Sequence, residues 1–116
     1  MKPSLLEKLD HLAERYDEVG YLLSDADVIA KQDEFRMLAM EYAELEPVVK
    51  TFKRYTQVSD DIITASTMLG DSDADIRAMA EQEIDEGKAE IVDLENTLQV
   101  LLLPKDLNDS SNVYLE

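Results

Sequence analysis

The chain has 116 residues, enough for one modest core, and its 27 acidic against 11 basic side chains leave a formal charge of −16. Such a balance opposes phosphate backbones and anionic membranes, so no direct nucleic-acid binding is expected of the isolated domain. The absence of cysteine excludes disulfides and thiolate metal sites. With no apolar run of bilayer length, and with charge appearing too early in Met1-Lys2-Pro3-Ser4-Leu5-Leu6-Glu7 for a signal peptide, the chain reads as a cytoplasmic protein with no membrane partner.

The first helix is expected over 4–23. Proline is tolerated in a first turn, and Ser4 with Glu7 has the spacing of a capping box. Leu5, Leu9, Leu12, Tyr16, Val19 and Leu23 step by fours and threes, a stripe that must be buried against other helices. Ser24-Asp25-Ala26-Asp27 breaks the pattern and supplies capping oxygens, and a short helical turn through Val28-Ile29-Ala30 follows.

The second long helix is expected over 32–69, with Phe35, Leu38, Tyr42, Leu45, Val49 and Phe52 as its apolar stripe. Pro47 sits inside it and costs about 3 kcal/mol, because one backbone bond is lost and the ring crowds the preceding turn. The apolar phase nevertheless runs through from Leu45 to Val49, which predicts a kink within one helix, or two nearly collinear helices, rather than a loop. Beyond it the stripe shifts by one residue to Tyr55, Val58, Ile62, Ala65 and Leu69, and Gly70 is the natural stop.

Gly70-Asp71-Ser72-Asp73-Ala74-Asp75 is a turn rich in N-cap candidates. It leads into a third long helix over 74–102, carried by Ile76, Ala80, Ile84, Gly87, Ile91, Leu94, Leu98 and Leu101. Gly87 weakens that helix by up to about 1 kcal/mol relative to alanine unless it permits a close crossing. The fold class is therefore all-α: an antiparallel three-helix bundle or a splayed coiled coil, forming a helical domain over 1–103. Pro104 stops the last helix, and after a polar turn Val113 and Leu115 alternate with Tyr114 and Glu116. A lone strand cannot satisfy its own backbone, so 104–116 reads as a linker and the first strand of a core domain that is missing.

Most chemistry is poorly served by these residues. Asp71, Asp73 and Asp75 open like a calcium loop, but Ile76 stands where glycine is needed and Gln82 where a bidentate glutamate is needed. His11 is the only histidine, too few for a two-metal bundle site, and with Glu7 and Asp10 nearby it reads as a surface pair. Ser66 and Thr67 lack a histidine base, and the three isolated glycines form no phosphate loop. No catalytic residue, metal site or cofactor is expected.

One stretch departs from the general acidity. Residues 1–58 carry 12 acids and 8 bases, and residues 59–116 carry 15 and 3. Within the first half, Pro47 to Ser59 holds no acid, and Lys50, Lys53 and Arg54 share one helical face by i, i+3, i+4 spacing. They are either a docking patch for an anionic partner or a solvated face that balances acids on a neighbouring helix.

Leu101-Leu102-Leu103-Pro104-Lys105-Asp106, the Asn/Asp/Ser turn and Asn112-Val113-Tyr114-Leu115-Glu116 resemble a particular segment of the bacterial class I peptide chain release factors. In that family the segment joins the N-terminal helical domain to the first strand of the decoding core. The Pro-Lys-Asp form is similar to the members that read UAA and UAG rather than to the UGA-reading paralogue. Arg15-Tyr16-Asp17-Glu18-Val19 and Leu22-Leu23-Ser24-Asp25 resemble the family's opening helix and turn, and Glu44-Leu45-Glu46-Pro47-Val48-Val49 its second helix.

The resemblance implies an intact factor that reads a stop codon on the ribosome and triggers hydrolysis of peptidyl-tRNA. The family assigns those tasks to a Pro-x-Thr-type loop and a Gly-Gly-Gln loop. Neither motif occurs in these residues, so no codon-reading or catalytic position carries over. What does carry over is the helical domain, which in the family lies near the stalk base of the large ribosomal subunit and is linked to the GTPase that recycles the factor. The competing reading is a freestanding acidic helical adaptor. The codons after Glu116 separate the two, further strand and a Gly-rich segment in one case and a stop in the other.

Overall fold

The structure, a computed structural model, describes residues 1–103. Those residues are all-α, with helices α1 (Pro3–Leu23), α2 (Ala26–Ile29), α3 (Gln32–Met68) and α4 (Ala74–Leu101), and no strand among them. The expectations for the linker and strand at 104–116 lie outside the described residues. Among the described residues no helix is long and apolar enough to cross a membrane.

The 37 residues of α3 form the spine. Helix α1 runs antiparallel along its first half and α4 antiparallel along its second, while α1 and α4 are not packed helix on helix. The core is accordingly divided into three clusters along α3. Val19, Val28 and Leu38 form the first, with Tyr42, Leu22 and Leu23 packed against it. Leu9, Val48, Phe52 and Leu98 form the central one, where all three long helices meet. Ala65, Ala80 and Ile84, with Ile62, form the third.

This division explains the one-residue slip in the apolar stripe of α3. Up to Phe52 the buried face is turned toward α1; from Val58 onward it is turned toward α4, and the phase of the stripe changes where the partner changes. The two residues at the changeover, Val48 and Phe52, share one cluster with Leu9 of α1 and Leu98 of α4. At the far end the partners are small, Ala65 at 1% exposure against Ala80 at 2%, which lets the backbones of α3 and α4 close together. Gly87 extends that closeness: a Cβ there would lie 2.8 Å from Ile62 Cγ1, so any larger residue would force Ile62 to shift.

Pro47 lies inside a helix that continues unbroken on both sides of it. The Thr51 hydroxyl donates to the Pro47 carbonyl at 2.7 Å. Just beyond, Val48 and Val49 are both buried, and that apolar burial offsets the lost backbone bond.

The turns are held by aspartates. Asp25 Oδ1 accepts from the Asp27 N–H at 2.8 Å and caps α2, and Asp73 Oδ1 accepts from the Asp75 N–H at 2.9 Å and caps α4. Asp71 Oδ1 accepts from the Asp73 N–H at 2.8 Å, so the aspartate run is a cap and its lead-in. Two details differ from the sequence reading. The capping box on Ser4 and Glu7 does not form, because α1 begins at Pro3 with Lys2 in the cap position and no side-chain bond there. Phe35 and Leu69 are 36% and 40% exposed, because both lie near ends of α3 that reach past their packing partners.

Candidate functional site

The acid-free stretch of α3 lies at the middle of the spine, with its cations on the side away from the central cluster. Val48, Val49 and Phe52 turn inward and leave Lys50, Lys53 and Arg54 outward, so the three cations share one exposed face. Their electrostatic states differ. Lys50 is paired loosely with Glu46 one turn back, Nζ to Oε2 at 3.3 Å, with both side chains largely in solvent. Lys53 is exposed and has no carboxylate within ion-pair distance among the described residues.

Arg54 is committed to α4. Its Nε and Nη2 donate to Glu90 Oε2 and Oε1 at 2.5 and 2.9 Å, a two-pronged bond across the α3–α4 crossing. The Arg54 guanidinium holds the Glu90 carboxyl below the usual carboxylate range, and Glu90 in turn raises Arg54. The structure thus brings Lys50 and Lys53 together as the available charge of the patch and makes Arg54 partly a strut between helices. Of the two uses expected of this face, the balance for acids on a neighbouring helix is seen at Arg54 and Glu90.

Beside Arg54 opens a cleft of about 190 Å³ whose floor is Gly87, Val58 and Ile62 and whose rim carries Asp61, Glu83, Glu86 and Glu90. The basic face therefore ends abruptly at an acidic edge. A phosphate approaching Arg54, already paired with Glu90, would meet Asp61, Glu83 and Glu86 lining the same cleft, so this end of the face is poorly suited to an anion.

A second paired constellation, between α1 and α3, is structural in character. Arg15 Nε and Nη2 donate to Glu41 Oε2 and Oε1 at 2.6 and 2.8 Å, and Nη1 donates to Glu18 at 2.9 Å. One residue along, the Tyr16 and Tyr42 rings stack with centroids 4.2 Å apart and planes 12° apart. Arg15 holds the Glu41 carboxyl below its ordinary range. Bonding to the Tyr42 hydroxyl, followed by burial, pushes the Tyr16 phenol up to about 12.

Neither Glu90 nor Glu41 was identifiable beforehand as a partner. They lie 36 and 26 residues from their arginines, and in a chain with 27 acids no spacing singles them out. The facing rings Tyr16 and Tyr42 did carry a signal, since each falls on the apolar stripe of its helix. His11 is exposed, and among the described residues no group of three or more His, Cys, Asp or Glu side chains is arranged to hold a metal ion.

Comparison with known proteins gives one family: the model described as the PCRF domain matches residues 12–116, which takes in all but the first turns of α1. No solved structure matches the chain.

Proposed function

The chain belongs to the PCRF-domain family of class I release factors, whose role is in translation termination, and on that premise we propose that it is the non-catalytic N-terminal domain of a factor directing peptide release at UAA and UAG codons. The observation that carries this reading is the length of the match, which spans the spine, both flanking helices and the tail together. The codon assignment rests on the Pro104-Lys105-Asp106 form of the linker.

In this reading the domain performs no chemistry. It seats the cytoplasmic factor near the ribosomal stalk base and offers a surface to the recycling GTPase, while codon reading and hydrolysis are performed by segments that these residues do not include. Family membership supports a ribosomal partner in general. The α3 face supports a specific one: Lys50 and Lys53, flanked by Arg54, are exposed cations in an otherwise strongly acidic chain.

Peptide release from ribosomes programmed with UAA, UAG and UGA tests the proposal. The purified 116-residue chain is expected to release nothing, and the full-length gene product to release at UAA and UAG but not at UGA. Codon-dependent hydrolysis by the 116 residues alone would overturn the non-catalytic reading. Efficient release at UGA by the full-length product would overturn the codon assignment.

A further inference from the structure

The basic patch is one end of a longer feature. At 100° per residue, the positions of α3 between Gln32 and Gln57 that fall within about 60° of one line form a single strip on the solvent side of the spine. Its first half carries the apolar Phe35, Ala39, Ala43 and Pro47 beside Gln32, Arg36 and Glu46. Ile29 of α2 closes one side, and together with Gln32, Phe35, Arg36 and Ala39 it forms a groove of about 470 Å³. Ile29 of α2 is 52% exposed and Phe35 of α3 36%, while Leu38 and Tyr42 of α3 pack into the first cluster.

The strip is bounded by cations at both ends. Arg36 stands at the groove, and Lys50, Lys53 and Arg54 stand beyond Pro47. Glu46 is the only acid on the strip between Gln32 and Gln57. In a chain of net charge −16, this single face combines an apolar groove with an excess of positive charge. From Phe35 to Arg54 it runs about 28 Å, the length of a helix of roughly 18 residues.

Resting on the docking role proposed above, we infer that the α3 strip is a binding face for an acidic amphipathic helix of a protein partner, whose apolar stripe fills the Ile29–Phe35–Ala39 groove and whose carboxylates face Arg36, Lys50 and Lys53. Charge complementarity calls for an anionic partner, and the apolar groove selects an acidic helix over RNA, whose backbone would leave the Ile29–Phe35–Ala39 groove empty. An apolar floor with charged flanks is the general arrangement by which grooves take amphipathic helices.

The test uses the 116-residue chain with a synthetic peptide of roughly 18 residues, leucines at i, i+3, i+4 and i+7 spacing and glutamates on both flanks of the stripe. Two control peptides have the same length, one a scrambled isomer and one with lysine replacing every glutamate. Binding is read from amide chemical shifts. The acidic peptide is expected to saturate, with shifts confined to α2 and the Phe35–Arg54 side of α3, and both controls to bind at least about tenfold more weakly. Ala39→Glu, which fills the groove floor with charge, and Lys53→Glu, which changes only an exposed side chain, are each expected to weaken it by about tenfold.

Equal binding of the scrambled or lysine peptide, shifts elsewhere on the chain, self-association of the chain through this strip, or no saturation by about 1 mM peptide would overturn the inference. So would an RNA hairpin that displaces the acidic peptide from the strip. None of these outcomes involves the ribosome, so loss of peptide binding leaves the termination role standing. Conversely, an unaltered ribosome association in Lys53→Glu alongside weakened peptide binding would refute only the docking role.

Discussion

Replacing Gly87 by alanine sets two effects of known sign against each other. Alanine favours the α4 interior by about 1 kcal/mol relative to glycine. Against this, the added Cβ would lie 2.8 Å from Ile62 Cγ1 and 3.0 Å from Ile62 Cδ1, with Val58 Cγ1 at an ordinary 3.6 Å. Carbon atoms prefer about 3.5–4.0 Å, so Ile62 must yield by more than half an ångström. Its Cγ1 is fixed by a β-branched χ1 and cannot swing aside as a chain end would. Overpacking of this kind costs about 1–3 kcal/mol, so Gly87→Ala is expected to destabilise the chain by about 0–2 kcal/mol.

The decisive comparison is the same substitution in an Ile62→Ala background. Both crowding atoms are then gone, and alanine at 87 is expected to stabilise by about 1 kcal/mol, which gives a coupling of about 1–3 kcal/mol between the two positions. Urea unfolding of the four proteins, followed by helical circular dichroism, measures it. Gly70→Ala serves as the control, since a Cβ there meets nothing within 4 Å. If Gly87→Ala raised stability by about 1 kcal/mol in both backgrounds, with no coupling, the close α3–α4 crossing would not be the reason for glycine at this position.

Leu98 is fully buried between α1 and α3 at the one cluster that joins all three long helices, so Leu98→Ala is expected to cost about 2–5 kcal/mol in urea unfolding, and a loss under about 1 kcal/mol would show that the cluster does not tie α4 to α1. The phenol of Tyr16 is pushed up to about 12 in the fold against an ordinary 10, so the unfolded chain gives up this proton first; the associated stability is intact below pH 10 and is lost as pH rises from 10 toward 12. Absorbance at 295 nm should show one late tyrosine, returned toward its ordinary range by Tyr42→Phe, and an unchanged titration in that variant would remove the Tyr42 hydroxyl as the cause.

Much of this fold was legible in the chain because its helices are marked independently by periodicity and by punctuation. The fours and threes of Leu9 to Val19, the uninterrupted phase across Pro47 and the aspartates after Gly70 each report a local constraint. The Ser4–Glu7 pair misled because a capping box depends on where the first turn begins, and proline at the first position moved that start one residue earlier.

The separation into three clusters was present only as the slip between Phe52 and Val58. That slip reports a change of partner but not which helix is gained. The cationic face was legible from spacing alone, since Lys50, Lys53 and Arg54 can lie nowhere else on a helix. The use of Arg54 as a strut was not, because bonding to Glu90 depends on the angle at which α3 and α4 cross, and no spacing in a chain so rich in acids encodes that angle.

The most direct test of the central claim, that the domain docks rather than reacts, is rapid-mixing association of the full-length factor with UAA-programmed ribosomes at several salt concentrations. The comparison is between wild type and Lys50→Glu/Lys53→Glu, with Arg54 left in place so that the Glu90 bond and the helix crossing persist. Exposed cations act mainly on the encounter, so association is expected to slow by up to about tenfold and its salt dependence to flatten, while hydrolysis after binding proceeds at the wild-type rate. An unchanged association rate and salt slope in the folded variant, or a loss confined to the hydrolysis step, would contradict it.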